Sequence, residues 1–151
     1  MVLPYRIITK SAEETQKFGE NVGYSFLKEE GSGPVVYCLW GELGSGKTTF
    51  TQGLAKGLGI TSRLLSPTFI IVRRYTISGI RRTLYHLDLY RMKHVRDVEG
   101  IGFSDILADT DALVVIEWPE RLGSVLPKKR TDFRFMIQND GSHSIKTNVY
   151  G

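Results

Sequence analysis

Val35-Val36-Tyr37-Cys38-Leu39-Trp40-Gly41-Glu42-Leu43-Gly44-Ser45-Gly46-Lys47-Thr48-Thr49 is the stretch on which the fold turns. Its second half satisfies the phosphate-cradling pattern G-x-x-x-x-G-K-[ST]. Its first half is a short apolar run of the kind a strand buried on both faces requires. Phe50, Leu54 and Leu58 then recur every fourth residue, which predicts a helix beginning near Lys47, with Gly57 and Gly59 as a natural stop. Strand, glycine loop and helix therefore follow one another in the order such a cradle needs.

The residue types answer to the charge of a triphosphate. Gly41, Gly44 and Gly46 allow backbone conformations closed to other residues, so that successive N–H groups turn inward toward anionic oxygens. The N-terminus of the following helix adds its dipole and its unpaired N–H groups. Lys47 is placed to bridge the β- and γ-phosphates as a point charge, and the Thr48 hydroxyl to ligate magnesium. Ser45 and Thr49 complete the loop's contacts, Thr49 through its hydroxyl or N–H.

Working outward, Tyr5 to Ile8 reads as a first short strand, and Ser11-Ala12-Glu13-Glu14 as a capping box ahead of a helical stripe of Phe18, Val22 and Phe26. Phe69 to Ile77 and Arg82 to Tyr90 flank Ser78-Gly79 and predict a hairpin. Between Lys93 and Ala108 the glycines Gly100 and Gly102 divide the apolar pattern into two short helical turns. Asp111 to Glu117 is a second buried-strand candidate, followed by a turn at Pro119. Thr131 to Ile137 places Phe133, Phe135 and Ile137 on one side, and Asn139-Asp140-Gly141 turns it into a last strand near Ile145 to Tyr150.

A phosphate loop needs an acid at the end of a neighbouring strand, and Glu117 is the best candidate. Such loops usually place Asp there. A glutamate reaches the metal or orients a water, and an ionised side chain directly after four apolar residues needs a partner. Asp88 ends the other strand candidate. It reads as a metal-shell ligand, as the group that positions the hydrolytic water, or as a plain carboxylate paired with Arg91. His86 on the same strand reads as a core or edge histidine. Ser66 and Thr68 fit a segment that senses a γ-phosphate, and equally an ordinary turn. Trp118 reads first as a core residue, with a cover over the nucleotide or an anchor for a partner protein as alternatives.

At 151 residues the chain is of single-domain size, with one cysteine, Cys38, inside a predicted strand, so no intrachain disulfide framework forms. No apolar run is long enough to span a bilayer and Met1 to Tyr5 does not resemble a signal peptide, which points to the cytoplasm. Three histidines and one cysteine make a structural zinc site improbable. The net charge of +4 permits contact with nucleic acid or an acidic partner without requiring it. Arg73-Arg74, Arg81-Arg82 and Lys128-Lys129-Arg130 form a patch only if the fold gathers them.

Taken together, Gly41 to Phe50, Ser66-Pro67-Thr68-Phe69, His86-Leu87-Asp88-Leu89-Tyr90-Arg91 and Ile116-Glu117-Trp118-Pro119-Glu120 resemble, in order and spacing, the bacterial TsaE (YjeE) family. These are small ATPases required for threonylcarbamoyladenosine formation in tRNA. The resemblance covers roughly positions 5 to 127. It implies an α/β fold, a P-loop NTPase sandwich of three layers whose central parallel strands are flanked by antiparallel ones. It implies Lys47 as the phosphate-loop lysine, Thr48 as the magnesium threonine, Asp88 as an active-site acid and Glu117 as the metal-binding glutamate beside Trp118. Lys10 and Ser11 match the segment that approaches the adenine. Glu42 and Ser45 stand where the family commonly has Asp and Ala, both mild changes. The implied cofactors are ATP and Mg2+, and the implied partners are the TsaB and TsaD proteins, of which TsaD transfers the threonylcarbamoyl group.

Two other classes remain on the residues alone. A small-molecule or nucleoside kinase would need an acceptor pocket and an arginine-rich lid, for which Asp88 to Asp111 offers no dedicated insertion. A nucleotide-gated binding module would keep the cradle and make hydrolysis incidental.

Overall fold

The computed structural model describes residues 3–61 and 71–151. The Ser66-Pro67-Thr68-Phe69 segment lies outside the described residues. Half of the strand pairings form one parallel unit: β2 (Val35–Trp40) lies between β5 (Ala112–Glu117) and β6 (Arg130–Ile137), parallel to both, and β5 pairs in parallel with β4 (Arg82–Asp88). Antiparallel strands close the flanks: β3 (Val72–Ile77) on β4, and β7 (His143–Tyr150) on β6 with β1 (Arg6–Thr9) beyond it. The sheet order is β1-β7-β6-β2-β5-β4-β3. Parallel strands in the middle and antiparallel ones outside are what the resemblance implies.

The two-residue repeat of a strand divides the core in two. Tyr37, Leu39, Leu113, Val115, Phe133 and Phe135 face α1 (Ala12–Lys28) and α2 (Lys47–Gly57). Val36, Cys38, Val114 and Ile116 face α3 (Asp97–Gly100), α4 (Phe103–Ala108) and a 3-10 turn at Pro119–Val125. Helices on both faces make the three layers. Cys38 sits fully buried in the second core, where burial pushes its thiol up to about 12, and it acts as a small apolar residue.

Ser11 caps α1 as the sequence predicts, its hydroxyl accepting the Glu14 N–H at 3.1 Å. Phe133 anchors the first core, with ring centroids 4.9 Å from Phe50 and 5.3 Å from Tyr37. Phe133 and Phe135 are buried as expected, but Ile137 is half exposed because β6 runs on past the covering helices.

The α1–α2 contact rests on absent side chains. A Cβ on Gly53 would lie 2.0 Å from the Gln16 carbonyl oxygen, and one on Gly57 2.2 Å from that of Glu20. From the other side, a Cβ on Gly19 would lie 2.2 Å from the Phe50 carbonyl oxygen. Gly57 therefore ends α2 and also admits the backbone of α1. Because the contacts advance in the same direction along both helices, α1 and α2 run parallel and present their N-termini to one end of the molecule.

Candidate nucleotide site

The chain leaves β2 at the edge of a cavity of about 580 Å3 and enters α2 on its far side. Two glycines are required for that passage. Gly41 takes φ +148°, and a Cβ there would meet the Phe135 carbonyl oxygen at 2.8 Å. Gly46 takes φ +109° immediately before α2. Gly44, Lys47, Thr48 and Thr49 line the cavity, with Thr48 exposed to it. Ser45 lies beneath them, its hydroxyl buried without a partner among the described residues.

The acids arrive by sheet register. Asp88 and Glu117 are paired positions at the ends of β4 and β5, and β5 is the direct neighbour of β2. They share a strand face with Leu84, Leu113 and Val115, the face α2 covers, so both carboxylates lie toward the phosphate loop. Glu117 is buried, and the partner its position demands is His86, whose Nε2 lies 2.7 Å from its Oε2. His86 is thus bound to a site acid. Asp88 accepts the Tyr90 N–H at 3.1 Å, and burial raises its proton affinity, with the neighbouring Glu117 adding to the effect.

Lys47 is itself buried, and its Nζ donates to the Gly41 carbonyl oxygen. The same ammonium lies 3.7 Å from the centroid of the Trp118 ring. Burial lowers its pKa, and Glu117, Glu120 and Asp88 partly offset the fall. Trp118 is half-buried: it packs against the second core, as its first reading expects, and also lines the cavity. Among the described residues it alone, apart from glycines, has positive φ, at 60°. The indole lies beside Lys47, with the Tyr90 ring tilted against it at a centroid distance of 4.9 Å.

At the other rim stand Lys10 and Ser11 before α1, and Gly141 and His143 from the β6–β7 hairpin. Arg91 also lines the cavity. Sequence reasoning missed His143 because it begins the last strand two residues earlier than placed there. No motif marks it, and it reaches the loop only because β6 lies beside β2. Of the basic clusters, the fold gathers Arg82, Lys129 and Arg130 around a separate cavity of about 250 Å3 that also holds Glu29 and Glu30.

These contacts fit a polyphosphate and its metal. Two carboxylates directly opposed on adjacent strands repel one another. A hard divalent cation would relieve that repulsion, and the Thr48 hydroxyl on the same cavity would offer a third oxygen. The glycine cradle leaves open the space a Cβ would fill.

The family model described as "Threonylcarbamoyl adenosine biosynthesis protein TsaE" matches residues 9–145. The chain belongs to the TsaE family. A TsaE protein of Treponema pallidum is 41% identical over 93% of this chain and 97% of its own length. One from Aquifex aeolicus is 37% identical over 80% and 81%. The crystal structure of Bacillus subtilis YdiB superposes with a TM-score of 0.73 at 28% identity, covering all of this chain and 88% of that one. The match carries the TsaE likeness through β6 and into β7, beyond the segments that suggested it.

Proposed function

We propose that this TsaE-family chain binds and hydrolyses Mg-ATP in the cytoplasm in support of threonylcarbamoyladenosine formation in tRNA, acting on the complex of TsaB and TsaD. The observation that carries the reading is the convergence of Lys47 and Thr48, at the N-terminus of α2, with Asp88 and Glu117 around one cavity. The loop N–H groups, the helix dipole and Lys47 bind and orient the phosphates. Thr48 and Glu117 would hold magnesium, which supplies positive charge to the β- and γ-phosphate oxygens. His86 fixes the Glu117 carboxylate through the 2.7 Å bond. Asp88, with its raised proton affinity, holds the attacking water and accepts its proton.

A kinase has less support. The connection from Leu89 to Asp111, where an acceptor lid would be expected, buries Leu89, Met92, Val98, Phe103 and Ile106 in the second core. Partner dependence is proposed because ATPases of this type gain most of their rate when transition-state charge is stabilised from outside. Steady-state phosphate release with and without TsaB and TsaD tests it. Turnover that rises with the pair supports the reading, and equal turnover overturns the partner dependence. Glu117→Ala should lose hydrolysis while staying folded; normal hydrolysis would remove Glu117 from the metal site.

A further inference from the structure

His143 is the first residue of β7, 98 positions from the phosphate loop in sequence, and its Nδ1 lies 2.6 Å from the carbonyl oxygen of Ser45. A carbonyl oxygen only accepts, so the ring nitrogen donates. The described peptide bonds are all trans, and in a trans peptide the C=O of one residue and the N–H of the next point in opposite directions. Holding the Ser45 carbonyl toward His143 therefore turns the Gly46 N–H to the other side of the same plane. Gly46 sits at φ +109°, in a region where glycine peptides reorient easily, and a Cβ on it would lie 3.2 Å from His143 Nδ1. The flanking peptides have partners of their own, the Ser45 N–H donating to the Glu42 carbonyl oxygen at 3.2 Å and the Gly46 carbonyl oxygen accepting the Phe50 N–H at 2.9 Å, and His143 is the partner of the Ser45 carbonyl between them.

We propose that His143 is a positioning residue of the nucleotide site, a latch from the C-terminal hairpin that fixes the Ser45–Gly46 peptide so that the Gly46 N–H faces the phosphates. The inference rests on the nucleotide-binding reading for its effect on affinity, but the latch itself exists in the nucleotide-free chain. It gives the β6–β7 hairpin a part in the site: Gly141 and His143 close one rim of the cavity, and His143 sets the loop beneath it.

The test compares His143→Leu, His143→Ala and His143→Asn with the parent chain. Asparagine carries its amide nitrogen at the position of histidine Nδ1 and can donate the same bond. Amide hydrogen exchange of residues 41–49 without nucleotide should accelerate in the leucine and alanine variants and stay near the parent rate in the asparagine variant. Calorimetric ATP affinity should fall about tenfold in the first two, the loss of one oriented, part-buried hydrogen bond, and stay within about twofold in the third. Unchanged loop exchange in His143→Leu and His143→Ala would overturn the latch, as would an asparagine variant as impaired as alanine, which would show ring packing at work. Should the parent chain bind ATP no better than Lys47→Ala, the nucleotide reading fails separately, and the exchange comparison still decides the latch.

Discussion

Replacing His86 by leucine removes the 2.7 Å hydrogen bond that holds Glu117 and leaves a carboxylate whose side chain is only 4% exposed without its partner. Breaking one member of such a buried pair costs about 3 kcal/mol, most of it the desolvation of the group left behind. A chain of this size loses about 2–4 °C of melting temperature per kcal/mol, so His86→Leu should melt about 6–12 °C lower. Glu117→Leu should also destabilise, because the imidazole is then orphaned with its Nδ1 already unpartnered among the described residues. The double variant His86→Leu/Glu117→Leu removes both polar groups and should return to within about 1 kcal/mol of the parent, since apolar replacement of an entire buried pair is often neutral. Urea unfolding of the four proteins at neutral pH closes the cycle, with a coupling of at least about 2 kcal/mol expected. Additive single effects would refute the reasoning, because they would mean that neither group depends on the other for its burial.

In the wild-type chain, ATP should draw Lys47 from the Trp118 ring it faces at 3.7 Å and change the tryptophan fluorescence; Lys47→Ala should neither bind nor respond, and a response surviving in Trp118→Phe would assign the signal to Trp40 instead. Gly53→Ala should destabilise by about 1–3 kcal/mol although alanine is the better helix former by about 1 kcal/mol, because its Cβ would lie 2.0 Å from the Gln16 carbonyl oxygen; increased resistance to urea would contradict the close approach. Asp88 has a folded-state pKa above its ordinary value, so the folded chain holds the proton more tightly and stability falls as pH rises through that window. Asp88→Asn should therefore melt higher than wild type at pH 7, with the gap closing as pH is lowered toward the ordinary carboxylate value; a gap independent of pH would exclude the effect.

What could be read from the chain was local. The run Val35 to Trp40, the glycines of the loop and the Ser11 cap each carry their meaning within a few residues, and the structure reproduces all three. Glu117 shows where legibility stops: four apolar residues before an acid demand a partner, yet that partner is 31 residues away and is identified only once β4 lies beside β5. His143 needed still more, the passage of β6 alongside β2 and β7 alongside β6. Glycine was half-read. Gly57 reads as a helix stop, while the four-residue spacing of Gly19 and Gly23 and of Gly53 and Gly57 takes on its meaning, two backbones in contact, only once α1 lies against α2. Trp118 packs against the second core as its sequence context suggests, but its place beside Lys47 shows only once the strand ends and the loop are assembled.

The glycine contact between α1 and α2 has a mechanical consequence. Helices this close cannot slide or tilt against each other without driving backbone into backbone, so they move as one block. That block carries Ser11 at the head of one helix and Lys47 and Thr48 at the head of the other, and so two of the cavity's walls are a single rigid jaw. Among the described residues, closure around a ligand then falls to the lining outside that block: Tyr90, Arg91 and Trp118 beyond the strand ends, and Gly141 and His143 from the β6–β7 hairpin.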